Sequence, residues 1–382
     1  MKKERLDPAP VMARLKDFQR KTVDYVFQRM YLDTPPAPRF LVADEVGLGK
    51  TLVARGLISQ ALAHLDDEIE RIDVIYVCSI AASAAQNLHR LNVAGREGFN
   101  LPTRLTLLPK HVSQLQDRHI NFISFTPGTT FDLKSSGGVM EERSLIYRML
   151  QDEQWLDTRG FLHLLRCTAG DRWESFVKWD SSNYDENIAR KYRTHVRNDK
   201  KLRKRIEELC DVFHRKNANT NGFNADRYAL VGDLRRRLGM ICLDALEPDL
   251  VILDEFQRFR DLLDGKDEAA DLARQLFDYP NVRVLLLSAP PYKMLALDHE
   301  GNDDHYPDFL RTLGFLFKDP SEEAAVREEI RRFRQALFSL AAGDDSSAKT
   351  TREALQSRLS RVMCRTERVS MTVKLDPMLG AP

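Results

Sequence analysis

A nine-residue segment, ADEVGLGKT at positions 43–51, constrains the fold of this chain more than any other feature. The apolar run at 40–43 leads into it and a helical pattern begins at Lys50, so the sequence predicts a strand, a tight turn and a helix. Gly47 and Gly49 let the backbone of the turn approach a ligand without a clashing Cβ atom. The free N–H groups and the positive dipole end of the helix point at the same place, which predicts an anion-binding turn.

The second half of this turn follows the phosphate-loop pattern G-x-x-x-x-G-K-[ST]. Gly49, Lys50 and Thr51 match the pattern, whereas Asp44 stands in place of its first glycine. We expect Lys50 to reach the β and γ phosphates of a nucleotide and the Thr51 hydroxyl to bind Mg²⁺. A glycine-rich turn in an unrelated fold is the alternative. The loop residues predicted to bind the nucleotide are Asp44, Glu45, Val46, Gly47, Leu48, Gly49, Lys50 and Thr51.

A second apolar run, at 250–253, ends in two acidic residues, Asp254 and Glu255. A carboxylate at a strand end is a suitable Mg²⁺ ligand, so we expect Asp254 to hold the metal directly or through water. Glu255 can orient and deprotonate the attacking water, which makes Glu255 and Lys50 the predicted catalytic residues. A solvated acidic turn is the alternative, and it would be favoured without the phosphate loop earlier in the chain.

The distribution of apolar residues predicts an α/β fold with a parallel sheet flanked by helices, because continuous apolar runs alternate with helical patterns. The strand candidates are 40–43, 72–78, 104–109, 120–125, 250–253 and 282–287. The stretch 132–245 has mainly helical periodicity and no convincing buried strand, which predicts an insertion. The predicted organisation is a first part of the α/β domain at 1–131, a helical insertion at 132–245, a second part of the α/β domain at 246–318 and a helical extension at 319–382.

Charge and cysteine content exclude few functions. The net charge is +1, from 58 basic and 57 acidic side chains, so any surface for nucleic acid has to be local. The five cysteines have neither metal-ligand spacing nor a disulfide pattern, which predicts a reducing, intracellular and cytoplasmic location. No apolar run approaches the ~18 residues that a membrane span needs, so we expect no membrane partner.

The phosphate loop and the acidic pair, together with two further short segments, resemble the motifs of the helicase-like ATPases of superfamily two in type and order. The Swi/Snf-type branch is the most similar. The form of 43–51, including its aspartate, is similar to the phosphate loop of that branch. DEFQ at 254–257 is similar to the DEAD/DEAH box, and LSAP at 287–290 resembles the Ser-Ala-Thr motif, with Pro290 in the threonine position. LKDFQ at 15–19 resembles the upstream glutamine motif.

The resemblance implies a RecA-like P-loop lobe with ATP and Mg²⁺ as ligands. It implies that Gln19 reads the adenine edge and that Gln257 and Ser288 couple the nucleotide state to the nucleic-acid site. It also implies contacts to a nucleic-acid backbone from Ser79, Thr126 and Gly128.

The partners that the resemblance implies are nucleic acid, with double-stranded DNA favoured, and a second RecA-like lobe that supplies arginine to the γ phosphate. We find no second lobe in the 382 residues, so we expect very slow turnover by this chain alone. VMCRT at 362–366 is similar to the segment where Swi/Snf-type chains leave the first lobe.

Two other functions stay open on the sequence alone. A nucleotide-sensing interaction module would bind ATP without turnover, which Pro290 and the absent second lobe favour. An RNA helicase is favoured by the Thr126-Pro127-Gly128 segment.

Several conspicuous residues have ordinary explanations. The basic run at 190–216 fits DNA phosphates and the solvated face of a charged helix about equally. His299 and His305, with neighbouring aspartates, indicate a solvated loop rather than a metal site. The three tryptophans are expected in the core rather than as stacking platforms: Trp155, Trp173 and Trp179.

Overall fold

The chain divides into two compact units. The computed structural model describes residues 6–45, 47–66, 68–79, 81–93, 99–100, 104–130, 137–214, 221–259, 265, 268–288, 305–339 and 346–366. The first unit comprises Met1–Gly98, Asp249–Arg260 and Pro280–Pro382, and the second comprises Phe99–Pro248 and Asp261–Tyr279. The domain boundaries that we drew from the sequence stay predictions.

Helices and strands alternate in the first part of the chain, as the apolar pattern predicts. They are α1 (Ala9–Met12), α2 (Asp17–Phe27) with a π-helical turn (Gln28–Leu32), β1 (Arg39–Val42), α3 (Lys50–Leu65), β2 (Ile72–Val77), α4 (Ala81–Leu91), β3 (Phe99–Asn100), a 3₁₀ helix (Leu105–Lys110), α5 (Val112–Gln116), β4 (Ile120–Phe125) and α6 (Pro127–Thr130).

The middle of the chain is helical in all its described elements. They are α7 (Met140–Leu150), α8 (Thr158–Leu165), α9 (Arg172–Trp179), α10 (Glu186–Asn198), α11 (Lys200–Phe213), a 3₁₀ turn (Asn221–Phe223) and α12 (Asn224–Leu246). None of the helices in the described ranges has the length and apolar character needed to cross a bilayer.

Strands return in the last part of the chain. The elements are β5 (Leu250–Asp254), a 3₁₀ turn (Phe256–Phe259), α13 (Glu268–Phe277), β6 (Arg283–Leu287), α14 (His305–Phe317), α15 (Pro320–Ser339), α16 (Ser346–Ser360) and β7 (Met363–Cys364).

The sheet of the first unit is parallel, with the strand order β2-β5-β6-β1-β7. Strands β1 and β2 are buried along their whole length, which agrees with continuous apolar runs in a sheet covered on both faces. In the second unit β3 and β4 also pair in parallel. The fold is therefore α/β and compatible with a RecA-like lobe.

The carboxyl ends of the five strands of the first unit lie side by side at nearly the same level of the sheet. Val77 is in register with Leu253, and Asp254 is in register with Leu287. Val42 is in register with both Leu287 and Cys364. We call the row of segments that follow these strand ends the carboxyl edge. Because the strands are parallel, everything that directly follows them lies at this edge.

Helix α2 packs closely against α3, and a glycine makes this possible. A Cβ atom on Gly56 would lie 2.7 Å from Val23 and 2.9 Å from Leu15, both of which are buried. Val26 and Met30 extend the buried face of this helical segment. The close packing brings the start of α2, including Gln19, beneath the turn that precedes α3.

Most strand predictions are confirmed, and one is wrong. Residues 104–109 were expected as a strand but form the 3₁₀ helix, which contains Pro109 and buries Leu105 and Leu108 on one side. Their spacing of three matches the 3₁₀ repeat, and a proline cannot donate to a strand ladder. The extension at 319–382 was expected to be helical, yet it also contributes β7, which pairs with β1.

Candidate functional site

The predicted phosphate loop connects the end of β1 to the start of α3. Gly47 and Gly49 have φ values of +86° and +83°, a region that favours glycine. Gly49 is the N-cap residue of α3, and Lys50 is the first helical residue. The turn therefore places the N-terminus of a 16-residue helix at the carboxyl edge, which is the geometry of an anion-binding site.

The Gln19 side chain forms a hydrogen bond with the backbone of this loop. Its side-chain Nε2 donates to the Leu48 carbonyl at 2.9 Å, and its Oε1 accepts from the Lys16 backbone N–H at 3.0 Å. The residue is only 3% exposed, and a Cβ atom on Gly49 would come within 2.6 Å of its Nε2. The nitrogen and the oxygen of the Gln19 amide thus both form hydrogen bonds with backbone groups. Contact of Gln19 with an adenine edge stays a prediction.

Lys50 lies between the loop and the acidic pair. Its Nζ donates to the backbone carbonyl of Asp44 at 3.1 Å. Burial raises the pKa of Asp44 and of Asp254, and the positive charge of Lys50 opposes that rise at both carboxyls. Lys50 and Thr51 are both partly exposed, so a ligand can reach them from solvent.

Asp44 links the phosphate loop to β7. Its carboxylate is fully buried, and Oδ1 accepts from the Thr366 backbone N–H at 2.8 Å. Burial raises its pKa, and the hydrogen bond from Thr366 opposes the rise. Its Oδ2 has no hydrogen-bond partner within the described part of the chain. The Ala43 N–H donates to the Cys364 carbonyl at 2.9 Å, so β7 follows β1 up to the loop.

The acidic pair lies at the end of β5, as predicted. Asp254 is the last residue of the strand, and Glu255 follows with φ at +55°. A left-handed conformation costs a residue with a Cβ atom about 1–2 kcal/mol, and such strain is concentrated at functional sites. The 3₁₀ turn follows at once, with the Arg258 N–H donating to the Glu255 carbonyl at 2.9 Å. The sharp turn keeps both carboxyls at the carboxyl edge, where both are partly exposed.

A residue that we did not predict, Tyr76, contacts the acidic pair, and a second one, Asn87, contacts Tyr76. The Tyr76 hydroxyl donates to Asp254 Oδ2 at 2.5 Å, and Asn87 Nδ2 donates to the Tyr76 oxygen at 2.9 Å. Burial raises the pKa of Asp254, the Tyr76 hydrogen bond opposes the rise, and the charge of Glu255 adds to it. A tyrosine near the end of the fully buried strand IDVIYV was the sequence signal that could have identified this contact.

Ser288 and Gln257 also follow strands of the carboxyl edge. Ser288 is buried, and its N–H donates to the Val42 carbonyl at 3.1 Å, so it lies beside the end of β1. Gln257 is in the 3₁₀ turn after β5, but its side chain is outside the described residues, as are Val46 and Pro290. The structure therefore brings Ser288 to the loop and does not describe the rest of this group.

The predicted nucleic-acid contacts fall in different units. Ser79 is exposed in the first unit, where its Oγ accepts from Arg258 Nη1 at 3.3 Å. Thr126 and Gly128 are in the second unit, at the four-residue helix α6. There the Thr126 N–H donates to Thr130 Oγ1 at 3.1 Å, and Gly128 is exposed.

Four basic side chains of the run at 190–216 form ion pairs with acids. The pairs include Arg197–Glu153 at 2.7 Å, Arg203–Glu207 at 3.0 Å, Lys204–Glu208 at 3.6 Å and Arg193–Glu186. These pairs favour a solvated face of α10 and α11 over a DNA grip, since each pairing acid cancels the charge that a phosphate would need.

The tryptophans and histidines give mixed outcomes. Trp173 is buried as expected, whereas Trp179 is 81% exposed, so its assignment to the core is wrong. It is near the end of α9, where the chain turns away from the helix. His299 and the side chain of His305 fall outside the described residues, and no group of three metal-binding side chains occurs among those that are described.

Comparison with known proteins adds no assignment: no protein-family model matches this sequence, and no curated protein matches it.

Proposed function

We propose that this chain is the ATP-binding lobe of a helicase-like, DNA-dependent ATPase that hydrolyses ATP when a second RecA-like lobe completes the site. One observation supports the proposal above all. The phosphate loop and the acidic pair follow β1 and β5, whose ends are in register with the same residue, Leu287 of β6. Two strand spacings separate them, roughly 10 Å, so one bound nucleotide can contact both.

The loop residues fit a triphosphate. The left-handed Gly47 and Gly49 open the backbone to phosphate oxygens. The N–H groups of Lys50 and Thr51 precede the first backbone hydrogen bonds of α3, which run from Leu52 and Val53 to the Gly49 carbonyl, so both lie where an anion at the helix N-terminus can accept from them. Lys50 begins this helix and already donates to the loop, so only a small movement is needed to transfer its ammonium group to a phosphate. Gln19 holds the loop in this shape through Leu48.

The edge residues also fit Mg²⁺. Thr51 and Asp254 would hold it, because Mg²⁺ prefers oxygen ligands and keeps several of its waters. When bound, Mg²⁺ neutralises charge that develops on the phosphate oxygens. Asp254 is partly exposed and receives a hydrogen bond from Tyr76, which stabilises its ionised form.

Glu255 is the group that we assign to the attacking water. Glu255 has a left-handed backbone at φ +55°, whereas Asp254 ends the regular strand β5, so the two adjacent acids differ in backbone conformation. This difference supports different roles for the two acids, with Asp254 at the metal and Glu255 orienting water and accepting its proton.

Double-stranded DNA is the favoured partner on the resemblance of the loop at 43–51 to the Swi/Snf-type form. An arginine from the second lobe would stabilise charge on the transferred phosphoryl group, an effect on the order of 10³–10⁵ in rate in GTPases. Binding should therefore be measurable in this chain even where turnover is not.

The test is equilibrium binding of a fluorescent ATP analogue with Mg²⁺, comparing the wild type with Lys50→Ala. A hydrogen bond to a charged group contributes about 1.5–3 kcal/mol, so Kd should rise by about 10- to 150-fold. Lys191→Ala is the matched control, because Lys191 is an exposed lysine on α10 in the other unit.

A folded wild type that does not bind the analogue would refute the proposal, as would equal Kd values for Lys50→Ala and Lys191→Ala. Stimulation of hydrolysis by duplex DNA rather than RNA, after a second lobe is supplied, tests the partner. Binding without any turnover in that assembly would favour a nucleotide-sensing module.

A further inference from the structure

A directed chain of hydrogen bonds joins helix α4 to the acidic pair. The Asn87 amide nitrogen can only donate, and it donates to the Tyr76 oxygen at 2.9 Å. Tyr76 has a single hydroxyl hydrogen, which is therefore directed at Asp254 Oδ2, 2.5 Å away. The order of donation is fixed as Asn87 to Tyr76 to Asp254.

The sheet fixes the position of the tyrosine. Tyr76 is 1% exposed and lies in β2 directly in register with Ile252 of β5, two residues before Asp254. Its ring cannot swing away without disrupting the packing of two central strands, because protein interiors are densely packed. The hydroxyl is thus held rigidly against the Asp254 side chain. Groups placed in this way orient metal ligands in known sites by hydrogen bonding to the ligand rather than to the metal.

We infer that Tyr76 is a positioning residue that orients Asp254 for Mg²⁺ and that Asn87 makes this orientation depend on the place of α4; the inference rests on the proposed function. An ionised carboxylate has about four acceptor sites, so the bond from Tyr76 restricts its rotation and leaves sites for Mg²⁺ or its waters.

The experiment measures binding of the fluorescent ATP analogue as a function of Mg²⁺ concentration in the Tyr76→Phe variant. Removing a group that orients a metal ligand lowers metal affinity about 10- to 100-fold, so half-saturation should need at least ~10-fold more Mg²⁺. Affinity for the analogue in EDTA should not change. Tyr192→Phe is the matched control, since Tyr192 is also buried and its hydroxyl donates to the Leu234 carbonyl in the second unit.

A second variant keeps the test independent of the tyrosine packing. Asn87→Ala leaves the Tyr76 ring in place and should raise the Mg²⁺ requirement by less than Tyr76→Phe does. His89→Ala, an exposed change on the same helix, should leave the requirement at the wild-type value.

Each contrary result has a distinct meaning. An unchanged Mg²⁺ requirement in both Tyr76→Phe and Asn87→Ala would overturn the positioning role and leave the proposed function intact. An equal loss in EDTA, or the same shift in Tyr192→Phe, would reduce Tyr76 to a structural residue. A wild type that does not bind the analogue at all would overturn both the inference and the proposed function.

Discussion

The contact between Gly49 and Gln19 leads to a quantitative prediction for Gly49→Ala. An alanine at φ +83° is strained by about 1–2 kcal/mol. Its Cβ atom would also lie 2.6 Å from Gln19 Nε2 and would displace the amide from the Leu48 carbonyl. Leaving a buried polar group unpaired costs about 1–3 kcal/mol more. The expected loss of stability is therefore about 2–5 kcal/mol.

A double-mutant cycle separates the two effects. In a Gln19→Ala background there is no amide to displace, so Gly49→Ala should cost only the backbone strain of about 1–2 kcal/mol. The coupling energy between the two sites should be about 1–3 kcal/mol, measured by urea denaturation of the four proteins. Gly170→Ala is the control for strain alone, since Gly170 has φ +62° and no atom within 4 Å of the added Cβ.

Additive effects at Gly49 and Gln19, within about 0.5 kcal/mol, would refute this reasoning. So would a Gly170→Ala variant that loses as much stability as Gly49→Ala. Either result would mean that the amide of Gln19 does not brace the loop in solution.

Three further predictions concern the same edge of the sheet. Gln19→Ala should weaken binding of ATP and GTP analogues by the same factor, because the Gln19 amide hydrogen-bonds only backbone groups, at Leu48 and Lys16. A selective loss of ATP binding, measured by competition, would instead support adenine recognition. Burial raises the pKa of Asp44 above 3.8 in the folded state. As pH rises above 3.8, the unfolded state releases the Asp44 proton before the folded state does, so the free energy of unfolding falls. Asp44→Asn removes this loss and should gain stability relative to wild type as pH rises above 3.8, measured by urea denaturation, whereas a parallel pH profile would contradict it. The isolated chain should release phosphate slower than a two-lobed enzyme by a factor on the order of 10³–10⁵, and rapid release that Glu255→Gln abolishes would show that no second lobe is needed.

The parts of the fold that sequence predicted are those with local causes. Continuous apolar runs predicted β1, β2, β5 and β6, and the glycines with Lys50 predicted the turn into α3. The strand expected at 104–109 failed because an apolar run of this length also suits a helical turn that buries every third residue. Strand β7 has two residues, and its pairing with β1 depends on a contact across more than 300 positions, which no local pattern encodes.

The residues of the candidate site also fall into those that a local pattern positions and those that only tertiary contacts position. Lys50, Asp254 and Glu255 were predictable because each is adjacent in sequence to the strand or turn that positions it. Tyr76 and Asn87 were not, because the contact of Tyr76 with Asp254 arises only when β2 lies beside β5, and that of Asn87 with Tyr76 only when α4 packs nearby. Side chains that orient other side chains leave little trace in one sequence.

Asp44 shows why the departure from the general phosphate-loop pattern does not weaken the proposal of a phosphate-binding loop. A glycine is needed where the backbone is left-handed, and Asp44 is not among the residues with positive φ, whereas Gly47 and Gly49 are. Its side chain accepts the Thr366 N–H, while its backbone carbonyl receives Lys50. A glycine at 44 would keep the second contact and lose the first, so it would free the loop from β7. The aspartate therefore connects the predicted phosphate loop to the segment at 362–366, where the resemblance places the exit toward a second lobe.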